Sequence, residues 1–233
     1  MRCLILLFWT ILISACSNNT LSYKEISDLK LSISLILNTA AQNQHALITE
    51  VETSESEYST IDFIDSVSFY VNDHLFDYIP SDSLVNNPYC WGSVITVSKC
   101  YNYYSDSLPV HPSQTYILKA VYKDKIINGQ TTVPGDFTIS VSGKTISWTE
   151  SRDAALYRIS AFGERYVFET TTQNTTVTIK DDDFFPGTYR ITVEALDKNF
   201  YDLVREKTTQ AGLNGAYGIF GSVTVRKMEA RLE

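Results

Sequence analysis

Long apolar runs are missing from this 233-residue chain; the run Leu4 to Ile13 holds about ten residues and is interrupted by Thr10. A membrane-spanning helix needs roughly 20 apolar residues, so none is expected. Histidine is scarce at three, and His45, His74 and His111 sit in different segments without paired spacing, so no metal site is expected. A G-x-S-x-G elbow and a P-loop are both absent. Only carboxylates converging in space would leave room for a hydrolase. Basic charge is short as well, with 19 Lys+Arg against 27 Asp+Glu, a formal net charge of −8 spread along the chain. That balance argues against a nucleic-acid partner and against a polybasic lipid contact.

What is present begins with a leader. Arg2 supplies a positive charge, the apolar run follows, and small residues lead into Cys16. The run is of signal-peptide length. Ile13-Ser14-Ala15-Cys16 resembles the lipobox of bacterial lipoproteins, which implies cleavage after Ala15 and acylation of Cys16, palmitate being a usual chain. Ser17 follows where inner-membrane retention signals carry Asp, so the resemblance implies lipid anchoring at the outer membrane, on a face left open. An ordinary secretory signal with a chance cysteine is the alternative. Residues 1–15 are then a signal peptide and 16–28 a polar tether.

Four cysteines divide unequally: Cys3 leaves with the leader, Cys16 carries lipid, and Cys90 and Cys100 remain with nine residues between them. In an oxidising envelope those two are expected to pair. A loop that short contributes roughly 2–3 kcal/mol in the chain-entropy picture. A metal site would need more Cys or His nearby, and a cysteine nucleophile would need a base, for which only His74 and His111 are candidates.

Beyond the tether the chain is rich in strand formers, with 15 Tyr among abundant Thr, Ser, Val and Ile. Leu29, Leu31, Ile33, Leu35 and Leu37 alternate with Lys30, Ser32, Ser34 and Ile36, the period of a half-buried strand. Ala46 to Val51, and Phe63 to Val71 with its Asn72-Asp73 turn back through Leu75 to Ile79, extend the pattern. Gln114 to Tyr122 and Ile126 to Val133 follow. Pro134 and Gly135 break the run, dividing the chain into 29–134 and 135–233. From Asp136 the spacing predicts seven short strands: Phe137–Val141, Lys144–Thr149, Ala155–Phe162, Arg165–Thr170, Thr175–Lys180, Gly187–Leu196 and Tyr217–Lys227. One or two helical turns are expected within Asn199 to Gln210. The fold class is all-β, two tandem β-sandwich domains.

The second domain resembles a fibronectin type III module. Trp148 in Ile146-Ser147-Trp148 matches that family's strand-B tryptophan, and Tyr157-Arg158-Ile159-Ser160 its strand C. Phe185-Pro186-Gly187-Thr188-Tyr189-Arg190-Ile191-Thr192-Val193 is similar to strand F, with Tyr189 as the corner tyrosine. More widely, the lipobox, Thr115-Tyr116-Ile117-Leu118, Gly129-Gln130-Thr131-Thr132-Val133-Pro134 and Gly215-Ala216-Tyr217-Gly218-Ile219-Phe220-Gly221-Ser222 resemble, in that order, DUF4249-type envelope lipoproteins of Bacteroidetes. That resemblance implies a transthyretin or carboxypeptidase-regulatory sandwich for the first domain, and no established activity.

Several stretches could carry contacts. Tyr89, Trp91, Tyr101, Tyr103 and Tyr104 crowd the expected disulfide and would suit sugar stacking or protein contact, against the alternative that they cover a sheet. Asp181-Asp182-Asp183 lacks the spacing of a calcium loop and reads as a solvated turn. Asp65-Ser66-Val67, Asp82-Ser83-Leu84 and Asp106-Ser107-Leu108 resemble O-glycosylation triplets of Bacteroidetes envelope proteins. Gly212, Gly215, Gly218 and Gly221 would let a strand bulge in the core, or let the region dock on an outer-membrane receptor. The expected function is a non-catalytic binding or assembly module on the outer membrane, without cofactor. An accessory of a TonB-dependent uptake complex and a surface glycan hydrolase are the alternatives.

Overall fold

Strand β1 (Leu31–Asn38) shows its alternation directly: Leu31, Ile33, Leu35 and Leu37 are buried, and the residues between them are half-buried. The computed structural model describes residues 31–50, 62–80, 101–180 and 184–233. β1 turns into the antiparallel β2 (Gln44–Glu50). Gln44 is buried because its amide satisfies that turn, accepting from Asn38 N–H at 2.9 Å and donating to the Asn38 carbonyl at 3.1 Å. β3 (Asp62–Phe63) borders β2, and β4 (Ser68–Val71) pairs with β5 (His74–Leu75). Their turn residues Asn72 and Asp73 both have positive φ, 46° and 64°, which is the hairpin geometry that Asn and Asp tolerate. β6 (Asp77–Tyr78) crosses to the other sheet beside β7 (Tyr103–Ser105), and β8 (Thr115–Tyr122) forms a hairpin with β9 (Lys125–Thr132).

The second half begins with β10 (Ile139–Ser142), β11 (Thr145–Trp148), β12 (Leu156–Phe162), β13 (Val167–Thr172) and β14 (Thr176–Thr178). β15 (Gly187–Leu196) leads into α1 (Lys198–Val204), the one helix among the described residues. Two short strands, β16 (Gln210–Ala211) and β17 (Leu213–Asn214), precede the sixteen-residue β18 (Tyr217–Leu232). Strands β10-β11-β14 face β13-β12-β15-β18, the sandwich arrangement of a fibronectin-like module. Trp148 and Tyr157 fill its centre with ring centroids 5.3 Å apart. Tyr189 is the corner: its ring is buried and its hydroxyl donates to the Phe185 carbonyl at 2.5 Å. Tyr189→Phe is expected to cost about 1 kcal/mol, read as a lower urea midpoint with unchanged slope.

β18 belongs to both halves. Its first part runs parallel to β1, from Ser32 opposite Tyr217 to Asn38 opposite Val223. Its second part runs antiparallel to β15, from Leu196 opposite Val223 to Gly187 opposite Leu232. At ~3.3 Å per residue it is about 50 Å long. One ten-stranded sheet therefore continues through both sandwiches, and β9, β8, β4 and β5, with β17, close the first from the other side. The first core joins Leu35, Phe69, Tyr103 and Leu118 to Leu213, Ala216 and Phe220 from beyond residue 210. A small third cluster, Leu156, Leu196, Val223 and Val225, lies where the halves meet, covered by Ile36 from β1 and by Phe200 and Tyr201 from α1.

Candidate functional site

The expected aromatic platform divides. Tyr89, Cys90, Trp91 and Cys100 lie outside the described residues, as do Cys16 and Asp181 to Asp183. Tyr103 is a core residue, 1% exposed, whose hydroxyl accepts the Val67 N–H at 3.2 Å. A ring so placed presents no face to a ligand. Tyr101 is half-buried with its ring 5.5 Å from His45, and Tyr104 pairs across strands with His45 and Asp77. Between Tyr101 and Tyr103, Asn102 is fully buried and takes a strand's place, donating to the Ile48 carbonyl and accepting its N–H, both at 2.7 Å. His45, His74 and His111 fall on β2, β5 and the loop before β8, and no cluster of three metal-ligating side chains occurs among the described residues.

The densest buried polar group among the described residues is one the composition did not single out. Asp197, 3% exposed, directly follows β15 and caps α1: its Oδ1 accepts the Phe200 N–H at 2.9 Å. An aspartate there satisfies an otherwise orphaned helix donor. Its Oδ2 accepts the Thr131 hydroxyl at 2.5 Å, Thr131 lies 2.7 Å from the Ser222 hydroxyl, and Ser222 donates to the Thr132 carbonyl at 3.1 Å. Beside this chain the Asn199 amide spans the Gln130 and Phe220 carbonyls at 2.7 and 2.9 Å, and the Thr224 hydroxyl donates to the Pro134 carbonyl. β9, α1 and β18 are thus cross-linked where the two sandwiches join. A local signal did exist: Asp197 stands three residues before Phe200, at the start of a helical pattern, and Thr131 occupies an inward position of its strand.

A cleft of about 470 Å³ opens beside this network, rimmed by Thr132, Asp153, Lys198 and Asn199. Lys198 is held at the rim by Asp202, 2.6 Å away. Each Asp197 oxygen accepts a hydrogen bond from a different element, Oδ2 from Thr131 on β9 and Oδ1 from the Phe200 N–H on α1, so the carboxylate clamps the two together.

No family model matches the chain. No curated protein matches it either. Among solved structures it is similar to domains A168-A170 from titin, at 13% identity and a TM-score of 0.22, over 85% of this chain. It spans 65% of that titin fragment, under two thirds of its length.

Burial raises the Asp197 carboxyl above the ordinary carboxylate range, partly offset by the hydrogen bonds from Thr131, the Phe200 N–H and Ser222. In that window the folded chain binds the proton more tightly than the unfolded one. Its contribution to stability is therefore full below the ordinary carboxylate pKa and is lost as pH rises through the raised folded value. Asn caps helices as well as Asp and carries no charge. Asp197→Asn is expected to flatten this decline, so that the variant gains on the wild type between pH 4 and pH 7. Asp197→Ala loses cap and clamp and is expected to cost about 2 kcal/mol at pH 4 and less at pH 7, because the wild type alone bears the penalty of the buried charge there. Urea midpoints of the three chains at the two pH values are the readout.

Proposed function

We propose that the chain is a lipid-anchored protein of the bacterial outer membrane, of the DUF4249 type, acting as a non-catalytic binding or assembly module. The observation that carries this reading is Ile13-Ser14-Ala15-Cys16 behind a short apolar run. Each buried methylene of an acyl chain contributes about 0.8 kcal/mol, and several chains on one cysteine give a durable anchor. The fold supports the rest. β1 begins beside Tyr217, at the pole of the first sandwich remote from the second, and ends beside Val223, where the second begins. A chain tethered ahead of β1 would hold the fibronectin-like half away from the bilayer, on a stem stiffened by the shared strand. Confinement to one surface raises its effective concentration for partners there, which include an outer-membrane receptor or a glycan.

The test is palmitate labelling with membrane flotation, on the wild type and on Cys16→Ser. The wild type is expected to be labelled and to float; the variant is expected to be unlabelled and released. A Cys16→Ser chain still acylated and still recovered with membranes, or a native chain free in the medium, contradicts the reading. Co-purification with a TonB-dependent receptor would make the module an uptake accessory.

A further inference from the structure

β13 is the outermost strand of the ten-stranded sheet, and its six residues make it longer than β6 at the opposite end of that sheet. The bond from Gly163 N–H to the Tyr166 carbonyl at 3.0 Å fixes the phase of the β12–β13 ladder. Alternate pairs of an antiparallel ladder exchange hydrogen bonds, so Phe168, Thr170 and Thr172 turn their backbone groups toward β12. Val167, Glu169 and Thr171 turn theirs outward, and no described residue pairs with them. The same three side chains are exposed, Val167 by 55%. Natural edges are commonly blunted by lysine, proline, a bulge or shortness. β13, Val-Phe-Glu-Thr-Thr-Thr, has none of these, and its one charged side chain is Glu169.

We propose that this edge binds a second copy of the chain, β13 against β13 in antiparallel register, with Thr170 opposite Thr170. The charges select that partner and that register. Arg205, just past α1, donates to the Thr171 hydroxyl at 3.1 Å, so the Thr171 end of the edge is basic while Glu169 makes its middle acidic. Pairing Thr170 with Thr170 sets Glu169 of each copy opposite Thr171 of the other, beside that copy's Arg205. Shifting the register to put Glu169 opposite Glu169 sets two carboxylates together, which destabilises a cross-strand pair. In the chosen register the half-buried Phe168 is covered by Thr172 of the second copy.

Crosslinking of the full chain tests this. The two Thr170 residues would form a non-hydrogen-bonded pair with Cα atoms about 4.5 Å apart, within disulfide range. Thr170→Cys is expected to give a covalent dimer on mild oxidation, above the background that the wild-type cysteines set. Thr172→Cys, whose two copies would stand roughly 14 Å apart, is expected to give about tenfold less. Adding Glu169→Arg or Arg205→Glu to Thr170→Cys is expected to reduce the dimer about tenfold, and adding both to restore it. A Thr170→Cys chain that stays monomeric, equal crosslinking at Thr172→Cys, a covalent partner that is a different protein, or no rescue by the double exchange overturns the proposal.

Discussion

Gly218→Ala is expected to destabilise the protein by about 3 kcal/mol or more, an unusually large effect for one added methyl. Gly218 lies opposite Ile33, where β18 begins its parallel pairing with β1, and its φ is +100°. A Cβ built there would stand 2.1 Å from the Ile33 carbonyl oxygen and 3.0 Å from its carbon. Those atoms are backbone, so no side-chain rotation can make room. Either β1 and β18 separate locally, losing ladder bonds over a packed core, or Gly218 abandons its conformation and carries Phe220 out of position. Gly187→Ala is the control, because nothing lies within 4 Å of its Cβ position. It is expected to stay within about 0.5 kcal/mol of the wild type. Urea unfolding of both variants reads the difference.

Residues 31–134 expressed alone are expected not to fold. The sequence break at Pro134-Gly135 makes this fragment look like a domain, yet its core draws Leu213, Ala216 and Phe220 from the end of the chain. Phe220 is fully buried, and losing a buried phenylalanine costs about 3–5 kcal/mol. β17 is also lost from the edge of β9, and β18 from the whole length of β1. Domains commonly hold only 5–15 kcal/mol of net stability, so these losses together exceed what the fragment can sustain. An amide NMR spectrum without dispersion is the expected result, and a well-dispersed spectrum is the contrary one.

Much of the fold was legible because alternation reports which face of a strand is buried. Leu31, Ile33, Leu35 and Leu37 follow it, the Asn72-Asp73 turn appears as expected, and Trp148 and Tyr189 take the positions that a fibronectin-like module gives them. Period two says nothing about neighbours, however. Nothing local to Ser32 or Tyr217 announces that they pair across 184 intervening positions, or that β18 runs on to Leu232 rather than stopping near Lys227. The glycines near Tyr217 pointed to a bulged core strand, without showing that Gly218 lies against the Ile33 carbonyl. Tyr103 looked like its neighbours Tyr101 and Tyr104 in sequence, and only its inward phase on β7 puts it in the core. Asp197 was hidden for a related reason: its partners Thr131 and Ser222 come from distant strands, and the cap alone does not reveal the clamp.

The shared strand has one consequence that a single experiment can read. Trp148, buried in the second sandwich, becomes the only tryptophan after Trp9→Phe and Trp91→Phe. Gly218→Ala then places the damage in the first sandwich, beside Ile33, and unfolding is followed by Trp148 fluorescence in urea. If β18 makes the two sandwiches one cooperative body, the Trp148 transition moves down by the full loss of stability and coincides with the far-UV circular dichroism transition. A Trp148 transition that stays in place while the first sandwich melts early would show two independent domains and contradict the shared-strand architecture.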